Sequence, residues 1–245
     1  MNTLLETYDL EIVQPLYNPD ENWVAKYCAH FSELQLLFPN VKLRIILVND
    51  GSDKNFIDDF TKQLHEKITH LKIVSYTENK GKGFALRAGM KETTAPYILY
   101  TDYDFPYQLI SLKNAYQKLV EGNDVVIGIR NESYYKQLSF IRIIISKLFN
   151  MFNKVILKIP YSDTQSGMKA FSTKGKELLL QTKINRFLFD TEFICKAYKD
   201  KTIKIVTINI ELNNDVKFTK INALIILQEI KNMLSISWRL LRNKL

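Results

Sequence analysis

Cysteine and histidine are scarce in this chain of 245 residues. It has two cysteines, Cys28 and Cys195, and three histidines, and none of them falls at a CxxC or other metal-ligand spacing. A disulfide framework and a structural zinc site are therefore excluded. We expect the two cysteines to be buried thiols in a reducing compartment, and the histidines to be structural.

The sequence also lacks a long uncharged apolar run. Its most apolar segment, residues 140–159, carries Arg142, Lys147, Lys154 and Lys158, and each of these would cost about 2.5 to 3.5 kcal/mol at the centre of a bilayer. The first residues, MNTLLETYDLEIVQPLYN, lack the basic start and the cleavage site of a secretory signal. We therefore expect a cytoplasmic protein without a membrane-spanning helix.

Acidic residues are rare in two segments of a chain whose formal net charge is +8. Residues 130–158 hold six lysines or arginines against one glutamate, and residues 214–245 hold six against two acids. A basic face of this kind indicates an anionic partner. Nucleic acid is not the expected one, because the charges lie among aliphatic residues without a nucleic-acid-binding motif.

The last segment has the pattern of a basic amphipathic helix. One apolar stripe contains Ala223, Ile226, Leu227, Ile230, Met233, Leu234, Trp238 and Leu241. Such a helix with a tryptophan is suited to peripheral contact with an anionic membrane, here the inner face, whereas packing on the rest of the protein is the alternative use of the stripe. We predict a domain over residues 1–213 followed by this helix over 214–245.

Apolar, β-branched runs alternate along the chain with segments of helical period. Strands are predicted at DLEIVQPL, KLRIILV, HLKIVSY, YILYT, DVVIGI and IKIVTINIEL, with a further strand-like piece at 163–171. This alternation is typical of an α/β fold with a mostly parallel sheet flanked by helices, and ligands of such sheets bind at the carboxyl ends of the strands.

The stretch YTDYDFPY places Asp102 and Asp104 at the carboxyl end of one predicted strand. Residues two apart on a strand point the same way, so both carboxylates would aim at one spot. Such a pair suits Mg²⁺ or Mn²⁺, the ions that bridge diphosphate oxygens. The alternative is that Asp104 and Pro106 only terminate the strand, since both are ordinary turn residues.

Two further strand ends carry polar groups. RIILVNDGSD predicts a strand-to-helix turn at which Asp50 stands with a carboxylate free to accept from a nucleobase or ribose. ENKGKGFALRAGM places two glycines at a helix start, so that free backbone N–H groups lie near Lys80, Lys82 and Arg87, as in a phosphate site. The second pattern is neither a Walker motif nor GxGxxG, and an ordinary loop-to-helix junction explains it equally.

In this order, the stretches VQPLYNPDE, LVNDGSD, NKGKGFALRAG, TDYDFP, VVIGIR, DTQSGMKAF and FLFDTEF resemble the inverting family 2 glycosyltransferases of the GT-A fold. The chain is most similar to the polyprenyl-phosphate (dolichyl-phosphate) hexose synthases, and the resemblance runs from about Glu11 to Asn213. It implies a single Rossmann-like domain and transfer of a hexose from a nucleotide-diphosphate sugar to a lipid phosphate.

The resemblance also implies roles for individual residues. Those implied to bind the donor are Pro15, Tyr17, Asn18, Asp50 and Asp102, and from the pattern at the helix start we expect Lys82 and Arg87 to join them. Asp102 and Asp104 match the DxD pair that binds Mg²⁺ or Mn²⁺. Residues implied to act in transfer are Arg130 on the acceptor phosphate, Asp163 and Gln165 near the donor sugar, and the acidic pair Asp190 and Glu192, of which we expect one to enter the site.

Two departures from the family pattern stand out. Asn49 precedes Asp50 where the family has a second aspartate, and Pro106 stands where many members have a glutamine as third metal ligand. Two other activities stay open at this point: transfer to a sugar hydroxyl in glycan or polysaccharide synthesis, which needs a general base among Asp190 and Glu192, and nucleotide-sugar binding without transfer.

Overall fold

The computed structural model describes residues 6–52, 54–131, 134, 138–161, 163–213, 216 and 223–242, without the side chains of 54–59, 223–227, 240 and 241. Within these residues the first elements are β1 (Leu10–Leu16), α1 (Trp23–Leu37), β2 (Leu43–Asp50), α2 (Lys54–Lys67), β3 (Leu71–Tyr76), α3 (Lys82–Lys91), β4 (Tyr97–Tyr100) and α4 (Leu109–Val120). Next come β5 (Val125–Arg130), α5 (Phe140–Val155), β6 (Lys169–Ser172), α6 (Thr173–Leu180), α7 (Phe189–Lys199), β7 (Ile205–Ile210) and α8 (Ala223–Leu241).

The strands form one sheet in the order β3-β2-β1-β4-β6-β5-β7. β6 runs antiparallel to both of its neighbours, and the other pairings are parallel. The carboxyl ends of β1, β2, β4 and β5 therefore lie at one edge of the sheet, together with the amino end of β6. Asp50, Asp102 and Arg130, three of the predicted site residues, lie at this edge.

Helices cover both faces of the sheet, because its central strands are apolar on both sides. In β1, Ile12 belongs to a core with α1, α2 and α4, and its neighbour Val13 belongs to a second core with α3, α6 and α7. In β2, Ile45 and Ile46 divide in the same way. Alternate side chains of a strand point to opposite faces, so each strand contributes to both cores.

The predicted α/β fold with a mostly parallel sheet is confirmed. The strand-like assignment of 163–171 is wrong over most of its length, because a strand forms only from Lys169. The preceding residues form an irregular segment at the edge of the sheet. Of the helix predicted over 214–245, residues 223–241 are helical, and residues 214, 215, 217–222 and 243–245 lie outside the described residues.

Helix α8 packs on the second core through Ile236, which is fully buried, and Met233. Ile236 does not belong to the predicted apolar stripe. Of the described side chains of that stripe, Met233 packs on this core, whereas Ile230, Leu234 and Trp238 are 46%, 66% and 51% exposed. The other stripe side chains, Ala223, Ile226, Leu227 and Leu241, lie outside the described side chains. Among the helices that the structure describes, none has the length and apolar character needed to cross a membrane.

Candidate active site

The loops after β1 and β2 meet at the carboxyl edge of the sheet. Pro15 pairs with Val48 in the β1–β2 register, and the backbone N–H of Asn18 donates to the Ser52 hydroxyl at 2.9 Å. Tyr17 is 50% exposed. These predicted donor-binding residues therefore line one side of an open edge.

Asn49, the departure from the family pattern, is satisfied within the protein. Its amide donates to the Ser75 hydroxyl at 2.9 Å, and its carbonyl oxygen accepts from the Ser52 N–H at 3.0 Å. An aspartate has no donor for the first of these contacts. The amide therefore links β2 to β3 as well as shaping the turn.

Asp102 and Asp104 lie in a tight turn after β4. The Phe105 N–H donates to the Asp102 carbonyl at 3.1 Å, and that carbonyl also accepts from the Gln14 side chain at 3.1 Å. Phe105 has a positive φ of 45° and is buried against the ring of Tyr27. The two carboxylates thus belong to a turn fixed from below by the core, and the prediction that they extend a strand is corrected.

The cation beside Asp102 in this structure is a lysine. Lys82 Nζ lies 2.5 Å from Asp102 Oδ1, with the two side chains 18% and 32% exposed. Burial opposes the charge on Lys82, but attraction to Asp102, then to Asp190, is strong enough to raise the pKa of this ammonium. Gly167 lies against the other oxygen of Asp102, where a Cβ would overlap Oδ2.

Asp104 stands at the exposed rim of the same turn. The protein around its carboxylate removes part of its hydration, repulsion by Asp102 adds to this, and together they raise its pKa to about 6. Two repelling carboxylates at a strand end fit a hard divalent cation such as Mg²⁺ or Mn²⁺. Among the described residues no third histidine, cysteine, aspartate or glutamate joins them.

The free carboxylate predicted for Asp50 is not found. Asp50 is buried and accepts from the Tyr76 hydroxyl at 2.7 Å, from the Asn79 amide at 3.0 Å and from the N–H groups of Lys80 and Gly81 at 2.8 and 2.9 Å. Gly81 has a φ of 96°, which favours glycine. Asp50 therefore organises the β3–α3 loop.

The free N–H groups predicted at the start of α3 are also engaged. Gly83 and Phe84 donate their N–H groups to the Asn185 carbonyl at 2.7 and 3.1 Å. Arg87 donates to the Ile184 carbonyl at 2.8 Å and also bonds the Asn185 side chain. The start of α3 is thus a junction with the loop before α7, and Arg87 anchors that loop.

Arg130 and Asp163, predicted to act on different substrates, bind each other. Arg130 Nε and Nη2 donate to Asp163 Oδ2 and Oδ1 at 2.7 and 2.6 Å, and the Arg130 backbone N–H adds a bond of 3.0 Å. Arg130 Nη1 also donates to the Tyr134 hydroxyl at 2.6 Å. This pair fixes the segment that leads into β6, on which Gln165 is half-buried.

Asp190, on the first turn of α7, lies beneath the site. Its Oδ1 accepts from the Tyr100 hydroxyl and lies 2.7 Å from Nζ of the fully buried Lys169. Burial raises the pKa of Asp190 and lowers that of Lys169. Sequence reasoning missed Lys169, although a lysine flanked by apolar residues in the stretch MKAF is an unusual feature that signals a buried partner.

Glu192 points away from this cluster. It is fully buried and accepts from the N–H groups of Lys183 and Ile184 at 2.9 and 2.8 Å. Its other oxygen pairs with Arg239 of α8 at 2.6 Å. The predicted role of Glu192 in transfer is not supported by this position, which ties the loop before α7 to α8.

The family model for glycosyl transferase family 2 matches residues 11–178 of this chain. The chain belongs to this family. The matched range includes the turn with Asp102 and Asp104 and the ion pair of Arg130 with Asp163.

Curated relatives include two dolichyl-phosphate beta-glucosyltransferases. One from Trichomonas vaginalis is 26% identical over 216 residues, covering 83% of this chain and 65% of the relative. One from Drosophila melanogaster is 28% identical over 207 residues, covering 77% and 62%. The chain thus spans less than two thirds of the length of these family 2 relatives.

Solved structures share the fold. The mannosyltransferase PcManGT from Pyrobaculum calidifontis, in complex with GDP-Man and Mn²⁺, has a TM-score of 0.55 at 16% identity, covering 84% of this chain and 57% of the other. S. aureus TarS 1-349 in complex with UDP-GlcNAc has a TM-score of 0.55 at 14% identity, covering 93% and 66%. At these identities the likeness concerns the fold.

Proposed function

We propose that this protein transfers a hexose, with inversion, from a nucleotide-diphosphate sugar to a polyprenyl-phosphate-type lipid. The observation that carries the proposal is the sequence likeness to dolichyl-phosphate beta-glucosyltransferases over 83% of the chain. Transfer to a sugar hydroxyl in a glycan stays the alternative prediction. The two differ in what they demand of the acceptor side of the site.

On the donor side, Asp102 and Asp104 would hold Mg²⁺ or Mn²⁺. The bound ion would neutralise the negative charge that develops on the leaving nucleotide diphosphate. A structural neighbour solved with GDP-Man and Mn²⁺ supports this assignment. Tyr17 and Asn18 are exposed at the adjoining strand end and would contact the nucleotide. Asp50 would act by shaping the β3–α3 loop around it.

On the acceptor side, a phosphate is favoured because the later acids already have partners. Asp163 is paired with Arg130, Asp190 with Lys169, and Glu192 with Arg239. A sugar hydroxyl must lose a proton to a base, whereas a phosphate monoester with a second pKa of about 6 is largely a dianion at neutral pH. A lipid phosphate therefore needs positioning and no free carboxylate.

Arg130 would contribute to that positioning. A guanidinium has five N–H donors, and the contacts to Asp163 and Tyr134 use three of them. The remaining donors of Arg130 would bind the acceptor phosphate while Asp163 keeps the side chain in place. Gln165, which follows Asp163, would lie near the donor sugar.

The exposed faces of α5 and α8 would contact the membrane that holds the acceptor. The apolar side chains of α5 with more than half of their surface exposed are Phe140, Ile141, Leu148, Met151 and Val155. Basic residues of the same segment include Lys147 and Lys154. An apolar face flanked by positive charge is suited to an interface with anionic lipids. We propose peripheral contact at the inner face of the membrane.

The test is a transfer assay with a panel of nucleotide-diphosphate hexoses, Mn²⁺ and a short polyprenyl phosphate. We expect one donor to release its nucleoside diphosphate while the lipid acquires the sugar. A lipid with a terminal hydroxyl in place of the phosphate is the matched acceptor control, and it should stay unmodified. Transfer to a glycan hydroxyl with no product on the lipid phosphate would overturn the proposal in favour of the alternative.

A further inference from the structure

Lys82 is the cation that accompanies the carboxylate pair in this structure. Its ammonium lies 2.5 Å from Asp102 Oδ1 and 5.7 Å from the centre of the Tyr100 ring. The carboxylates of Asp102, Asp190 and Asp104, in that order, attract it. Of these, Asp190 already has Lys169 as a partner, so Lys82 chiefly compensates the Asp102 turn.

The backbone that carries Lys82 is fixed by hydrogen bonds on both sides of the residue. Gly81 on one side donates its N–H to Asp50, and Gly83 on the other donates to the Asn185 carbonyl. The ammonium itself stands at the end of a flexible four-carbon chain. The ammonium can therefore pair with different anions near it while the backbone of Lys82 stays in place.

A divalent ion and an ammonium compete for Asp102. When both cations contact the same carboxylate directly they lie within a few ångströms of each other, and at such separations their mutual repulsion is strong. An ion bound by Asp102 and Asp104 would therefore displace Lys82 from Oδ1. The diphosphate that binds with the metal provides a new anionic partner within reach, and lysine is a common phosphate ligand.

We propose that Lys82 is an exchanging counter-ion: it pairs with Asp102 in the metal-free enzyme and moves to the donor diphosphate when metal and donor bind together. This inference rests on the proposed function for the identity of the metal and the donor. It assigns to Lys82 a competitive effect on metal binding and a favourable effect on donor binding. Metal and donor would consequently bind with positive cooperativity. The donor diphosphate would draw Lys82 away from the Asp102 oxygen that the metal needs, and the metal would release Lys82 from Asp102 to bind the diphosphate.

The test measures Mn²⁺ binding to the full chain without donor, from the decrease of the free Mn²⁺ signal in electron paramagnetic resonance. Lys82→Met should bind Mn²⁺ about tenfold more tightly than the wild type, within the usual range of such coupling. Lys82→Arg keeps the positive charge and should bind Mn²⁺ no more tightly than the wild type. Lys91→Met, at the exposed far end of α3, is the matched control for loss of one lysine.

A second titration adds UDP and, in parallel, GDP at saturating Mn²⁺. Lys82→Met should bind the preferred nucleotide about tenfold more weakly than the wild type, although its Mn²⁺ affinity alone is higher. Equal or weaker Mn²⁺ binding by Lys82→Met, in a variant whose circular dichroism matches that of the wild type, overturns the exchange. Neither titration includes an acceptor, so failure of sugar transfer to polyprenyl phosphate is a separate result that concerns only the proposed function.

Discussion

The acids of the site fall into an open group and a closed group. Asp102 and Asp104 follow β4 in a turn, where one is about a third exposed and the other lies at the rim. Asp163, Asp190 and Glu192 are at most 4% exposed. Each of the closed acids has a basic partner within 2.7 Å on a different element of the fold, as Asp102 has in Lys82, so the two groups differ in exposure.

The difference separates acids that are available to ligands from acids that hold the fold together. A buried carboxylate that loses its partner must remain as an uncompensated charge or take up a proton, and either outcome is costly. A carboxylate at an open turn changes partners at much lower cost. Family resemblance alone assigns all five to substrates or metal, and their burial in the structure divides them.

The largest expected effect is on an open acid. Asp102→Asn should lower sugar transfer on the order of 10³-fold, because it removes a charge that would hold the metal. The melting temperature should change little, since the turn is fixed by backbone contacts of Asp102. Glu121→Gln, on the exposed Lys118 pair, is the control. Retention of activity in Asp102→Asn would remove the distinction between the groups.

The next effect concerns a closed pair. Lys169→Met should lower the free energy of unfolding by about 3 kcal/mol, because Asp190 is then buried without its cation. Urea denaturation measures the loss. The double variant Lys169→Met/Asp190→Asn should recover part of it, since no charge is left unpaired. Equal stability of the single variant and the wild type would place Asp190 in the open group.

Glu192→Gln should lower the free energy of unfolding by a smaller amount, about 2 kcal/mol, because the glutamine amide keeps the shape of the side chain but not the charge that binds Arg239. Arg239→Met should cost a similar amount, and the two changes together should cost less than their sum. The kcat of transfer by Glu192→Gln should fall by less than about tenfold, because Glu192 would affect transfer only through the loop that it holds. A complete loss of transfer in Glu192→Gln, with the fold intact, would instead identify it as a base.

The smallest effect is a pH dependence at Asp104. Its pKa of about 6 exceeds the ordinary value of 3.8, so between about pH 4 and 6 the folded protein binds more protons than the unfolded chain. Stability should therefore decrease as pH rises through this window. Asp104→Asn should remove that contribution, which urea denaturation at several pH values can measure. An identical pH profile for the two proteins would contradict the raised pKa.

The sequence predicted the elements of the fold closely where local pattern decides them. Apolar, β-branched runs locate strands β1 to β5 and β7 in the sequence. The edge strands β3 and β7 are only partly buried, and polar residues interrupt their apolar runs. The irregular segment before Lys169 was mistaken for strand. The antiparallel insertion of β6 between β4 and β5 was not predicted, because strand order depends on contacts between residues some 70 positions apart.

By itself, the sequence determined the family, the parallel α/β architecture and the presence of acids and bases at the carboxyl edge of the sheet. These features can be predicted from the order of short motifs, because each motif consists of neighbouring residues that follow the end of one strand. Tertiary structure decided which acid meets which base. Four ion pairs join different elements of the fold: Lys82 with Asp102, Arg130 with Asp163, Lys169 with Asp190, and Arg239 with Glu192. An ion pair depends on the distance between two charges in space, and spacing along the chain does not specify that distance.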